Sequence, residues 1–172
     1  MRNKNVKHMA LCGVLAANAI VIMCMGGLIP IATYICPILC ILTGDIVQRH
    51  CGTKLCFTWY VAVSILSLLL GPDREAVVVY VILGNYPCFK TRIDRLSWSV
   101  LWKALYFNFC SVLIYLISVY FMGLSDIVTE FQTIGYIGLV CVLVLTNITL
   151  FLVDFLLTKI RKISPWQYKL NN

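Results

Sequence analysis

Asp73, Arg74 and Glu75 follow Gly71-Pro72 and open a long apolar run, so three charges stand together at its mouth. Charges in that position bind a polar solute or close over one. They also have a plain structural account: Pro72 starts a helix, the acids sit at its positive end, and Arg74 reaches lipid headgroups. Asn18, Asn108 and Asn147 lie near the middle of three further apolar runs, and Thr33, Thr146 and Thr149 add hydroxyls. Polar groups at such depth face protein or a cavity rather than lipid. They line a solute site or hydrogen-bond helix to helix, and the residue types alone allow either. If they converge on a solute, the expected set is Asn18, Thr33, Tyr34, Asp73, Glu75, Tyr80 and Asn147.

Asp45 and Asp154 stand at the ends of apolar runs, within sequence reach of the basic residues Lys90, Arg92 and Arg95. The simplest reading is a structural charge network among these five. No acid, base or histidine lies deeper, which argues against a proton-coupled carrier. The absence of acids and histidines clustered at catalytic spacing argues against an enzyme. His8 and His50 have no ligand-like partners and no CxxC pair occurs, so neither a metal nor a cofactor is expected. Most of the nine cysteines lie inside apolar runs, where a thiol behaves as a small hydrophobe.

These residues need elements to position them, and the composition says which. Of 172 residues 61% are hydrophobic and 12% charged, too few charges to cover a soluble domain. The runs predict an all-α polytopic membrane protein, one domain over 1–172, with helices near 9–25, 28–47, 55–70, 72–89, 97–122 and 131–158. Pro30 fits a first turn, Pro37 bends the second helix, and Gly84 with Pro87 kinks the fourth. With six crossings and both termini cytoplasmic, Arg2, Lys4, Lys7, Arg49, Lys54, Lys90, Arg92, Arg95, Lys103, Lys159, Arg161, Lys162 and Lys169 fall inside. Arg74 alone, of 14 basic residues, falls outside. That asymmetry follows the positive-inside rule and predicts a multi-pass cell-membrane protein with this orientation. Trp59, Trp98, Trp102 and Trp166 then form an interfacial belt. The net charge of +7 is a topology signal, not a nucleic-acid footprint, because it flanks apolar runs instead of covering a face.

With six helices, inward termini and the segments LLLGPDREAVVVYVILGNYPCFK (Leu68 to Lys90) and FLVDFLLTKI (Phe151 to Ile160), the chain resembles the substrate-binding S components of energy-coupling factor (ECF) transporters. More closely, it is similar to a firmicute group of membrane proteins with S-component character. The resemblance implies capture of a vitamin or other small polar solute near the outer face. It also implies a membrane coupling protein and two cytoplasmic ATPases as partners. Because the chain has no G-x-x-x-x-G-K-S/T loop, any ATP hydrolysis belongs to those partners. The family's Ala-xxx-Ala contact motif on the first helix is matched loosely by Gly13 and Ala17, which become the expected partner-binding residues. A histidine-rich start is missing, which disfavours a cobalt or nickel cargo. The alternative is a membrane assembly or structural protein that acts through helix-helix contacts.

Overall fold

The computed structural model describes residues 2–28, 32–122 and 125–163. Pro30, and the tail with Trp166 and Lys169, lie outside the described residues. The elements are α1 (Arg2–Met25), a short 3-10 turn (Gly26–Leu28), α2 (Ala32–Leu70), α3 (Arg74–Leu83), α4 (Tyr86–Ile93), α5 (Ser99–Met122) and α6 (Ser125–Ile163). Among the described residues every regular element is helical. Four helices are long and apolar enough to cross a membrane: Val6–Met25, Ala32–Leu70, Ser99–Ile117 and Leu143–Lys162.

The 39 residues of α2 would span about 58 Å if straight, roughly twice a bilayer's hydrocarbon core. They do not run straight. Gly52 adopts φ 84° and ψ 171°, a region in effect open only to glycine, and the chain reverses there. The Cys56 thiol consequently reaches the Gly44 carbonyl at 3.5 Å, although residues twelve apart in a straight helix stand about 18 Å apart. α2 is therefore a hairpin with arms 32–51 and 53–70. The expected polar link over 48–54 contracts to this one glycine because Gln48 to Cys51 carry the first arm's hydrogen bonding onward. Pro37 sits inside the first arm without interrupting it.

The expected helix over 72–89 is broken at Gly84 and Asn85, giving α3 and α4; Gly84 still closes the last turn of α3 through its N–H to the Tyr80 carbonyl. A Cβ at Gly84 would stand 2.5 Å from the Tyr80 carbonyl oxygen and 2.8 Å from its ring. The break orphans carbonyls at the end of α3, and the Tyr60 hydroxyl donates to one of them, that of Val81. Pro87 falls in the first turn of α4, where its missing N–H costs nothing. The outer helices extend further than expected. α1 already starts in the basic segment at Arg2, and α6 covers residues expected as a link.

Residues up to Thr91 and residues Arg92–Ile163 form two compact units. In the first, α1 lies antiparallel to the first arm of α2: the Cys12 and Cys51 sulfurs meet at one end, and Gly26 approaches Cys36 at the other. The second arm lies antiparallel to α3 and α4, from Cys56–Cys88 to Gly71 beside Val77. Its core is Ala19, Met23, Cys36, Cys40, Val47, Cys56, Trp59, Val63, Ala76, Val77, Tyr80 and Cys88. Small side chains let these helices approach closely. The Cys40 thiol donates across the gap to the Ala19 carbonyl at 3.4 Å. Trp59, expected in an interfacial belt, is instead 5% exposed in this core, with its ring against Gly44. Trp98 and Trp102 are exposed. In the second unit, α5 and α6 pair antiparallel through Lys103–Asp154, Phe107–Phe151 and Asn108–Asn147.

Candidate functional site

Asp73 caps α3. Its carboxylate accepts from the Glu75 and Ala76 backbone N–H groups at 3.0 and 3.3 Å, satisfying two of the helix's orphan donors. Glu75 stands in the first turn, where the helix dipole favours it. The plain structural account of this turn therefore holds for Asp73. Gly71, one residue before Pro72, sits where a Cβ would meet the Ser67 carbonyl oxygen at 2.5 Å, so the chain has no slack there.

Below this turn the first unit buries hydroxyls that its own groups leave unmatched. Ser64 and Ser67 on the second arm of α2, and Tyr80 on α3, are buried and have no hydrogen-bond partner among the described residues. Tyr80 is fully enclosed, its ring tilted against Tyr60 at 6.1 Å. Trp59 Nε1 and Asn85 Oδ1 are orphaned in the same unit. A buried polar group without a partner costs about 1–3 kcal/mol, so three such hydroxyls in one core are unusual. Tyr80 was expected in the site. Ser64 and Ser67 were not, because a serine in a membrane helix usually bonds back to its own backbone and leaves no trace in the pattern.

The other expected solute residues are dispersed. Asn18 is exposed on α1, on the face that carries Gly13 and Ala17, and it makes no side-chain hydrogen bond among the described residues. Thr33 is half-buried and Tyr34 is 64% exposed at the start of α2. Asn147 belongs to the second unit, where its amide and that of Asn108 exchange bonds of 3.1 and 3.4 Å. Each amide also donates to the carbonyl four residues earlier. These are the bonds of an interhelical link, and no solute is needed to explain them. An open apolar groove of about 680 Å³ runs beside the pair, lined by Leu143, Val144, Ile148, Phe151, Leu152 and Phe155.

Asp45 is fully buried and bonds Arg49, four residues on in the same helix. Beside it Gln48 donates to Thr91 at 2.6 Å. Lys90 is fully buried with its ammonium 5.8 Å from the centre of the Tyr86 ring. Asp154 pairs with Lys103 at 2.9 Å, and Lys103 also bridges to Asp94. Lys103, a topology charge by its sequence position, thus joins Asp94 and Asp154 in one cluster. Arg92 and Arg95 lie beside this cluster in sequence, joined by a backbone bond from Arg95 N to Arg92 O at 3.2 Å.

Gly13 and Ala17 face outward, and a Cβ added at Gly13 would meet no atom within 4 Å. Among the described residues no group of three or more His, Cys, Asp or Glu side chains is placed to hold a metal ion. The chain matches no family model, no curated protein and no solved structure.

Proposed function

We propose that this chain is the substrate-capture subunit of an ECF-type importer for a vitamin or similar micronutrient, energised by partner ATPases. In this reading it crosses the cytoplasmic membrane six times with both termini inside. The hairpin at Gly52 supports counting α2 as two crossings, and the broken pair α3–α4 then forms one more. The observation that carries the capture role is the set of buried, partnerless hydroxyls of Ser64, Ser67 and Tyr80. Ser64 and Ser67 lie within two turns of the Gly71–Asp73 turn, so a solute entering from that side reaches them first.

A ligand that matches these hydroxyls gains about 1–3 kcal/mol at each, since truncation leaves its own polar atom unsatisfied. The test is thermal stabilisation of the purified protein by a vitamin panel, then titration of the hit against variants. S67A and Y80F each weaken binding about 5- to 150-fold, while K54A on the exposed turn changes nothing. Equal affinity in wild type, S67A and Y80F refutes the pocket.

The face of α1 supports a membrane partner. A mid-helix amide at Asn18 is costly against lipid, and it shares an exposed face with Gly13 and Ala17, where a partner helix can approach closely. The same face suits the second reading, an assembly protein that works through helix contacts. Co-purification separates the two. G13L/A17L is expected to lose a coupling protein while staying folded and still binding solute. Loss of a different membrane protein, with no solute bound by the wild type, favours assembly.

A further inference from the structure

We infer that Cys12 and Cys51 form a redox-active thiol pair, which closes to a disulfide by exchange with a soluble low-molecular-weight disulfide. The two residues come from different elements, α1 and the last residue of the first α2 arm before Gly52, yet their sulfurs stand 3.2 Å apart. Disulfide geometry needs about 2.05 Å, a closure that side-chain rotation beside a glycine turn can supply. Both thiols are half-buried, so a small reagent reaches them at the polar end of the unit. A second close pair in the same unit, Cys56 and Cys88 at 3.0 Å, is buried and shielded from any reagent. Proximity alone therefore does not distinguish the two pairs; access does.

His8 supplies the remaining group. Its Nδ1 lies 3.8 Å from the Cys51 sulfur, and its backbone carbonyl lies 3.6 Å away. The imidazole takes the Cys51 proton, and the thiolate attacks one sulfur of the reagent. A mixed disulfide forms and the first low-molecular-weight thiol leaves with a proton. The Cys12 thiol then gives up its proton as its sulfur attacks Cys51, breaking the mixed disulfide, and the second low-molecular-weight thiol leaves with that proton. Two protein thiols are oxidised, one reagent disulfide is reduced, and two thiols are released. The product ties the middle of α1 to the α2 turn, one residue from Gly13 on the open face. In a reducing compartment such a bond is transient and belongs to sensing, not to structure.

The full chain in lipid nanodiscs is incubated with oxidised glutathione over a range of ratios to the reduced form. Free thiols are then alkylated and disulfide-linked peptides mapped by mass spectrometry. The expected product is one Cys12–Cys51 bond per chain, with two equivalents of glutathione released. C12S is expected to stop at the mixed disulfide on Cys51, releasing one equivalent, and H8A to slow the first release about tenfold with the same product. Cys12 and Cys51 remaining alkylatable at every ratio, or a bond mapped to Cys56–Cys88 in their place, overturns the proposal. That readout uses no solute and no partner, so its failure leaves the capture role untouched.

Discussion

Lys103 and Asp154 show how a membrane helix tolerates charge. Each is 8% exposed, they meet at 2.9 Å, and Asp94 shares the ammonium. Removing one member of a buried pair strands the other, which costs about 3–5 kcal/mol, whereas an apolar replacement of both is often nearly neutral. K103M is therefore expected to lower the denaturation midpoint sharply in an SDS titration, and K103M/D154L to recover most of the loss. No recovery in the double variant would mean that Asp94 or the packing of Lys103 carries the effect. Asp154 was legible in the sequence as an acid where few belong. Its partner was not, because 51 residues separate the two and the basic link at Lys90 to Arg95 offered nearer choices. Tyr80 was legible for similar reasons, as a polar tip in an apolar run. Ser64 and Ser67 became visible only once their hydroxyls were seen to lack partners.

At the scale of elements, the turn at Gly52 decides whether α2 is one long rod or two arms. Nothing lies within 4 Å of a Cβ added there, so any penalty for a side chain comes from the backbone conformation alone. G52A is expected to cost about 1–3 kcal/mol of stability by thermal melting in detergent, whereas G13A, equally uncrowded but helical, costs nothing. Equal melting of the two variants would show that the hairpin does not depend on this conformation. The Asn108–Asn147 exchange joins α5 to α6, and a double-mutant cycle to alanine is expected to give a coupling of about 0.6–1.7 kcal/mol, the range for such bonds inside membranes. A coupling near zero would return both amides to their own helices. The sequence showed the apolar runs and the break near Gly84, since composition and glycine-proline spacing carry those directly. It placed half of the helix ends within two residues and the others four to seven residues off. Polar residues at a membrane boundary are compatible with both a loop and another helical turn, and here the hydrogen bonds of the arm and of α6 continue through them.

For the whole molecule, the apolar helices and the charge distribution bear on the same account. Four helices meet the length and hydropathy of a crossing, one of them doubled back at Gly52, and α3 and α4 are each too short to count alone. In the first unit, the end with His8, Cys51 and Thr91 also carries Lys7, Arg49, Lys54 and Lys90, and the opposite end carries Asp73 and Glu75. The six-crossing proposal assigns these two ends to opposite sides of the membrane, with Arg74 beside the two acids as the one basic residue outside. The most direct test is labelling by a membrane-impermeant maleimide in intact cells, with the native cysteines replaced and single cysteines introduced at Pro72, Thr53 and Arg95. The six-crossing account predicts labelling from outside at position 72, and at positions 53 and 95 only after the cells are opened. Labelling of position 53 from outside would contradict it.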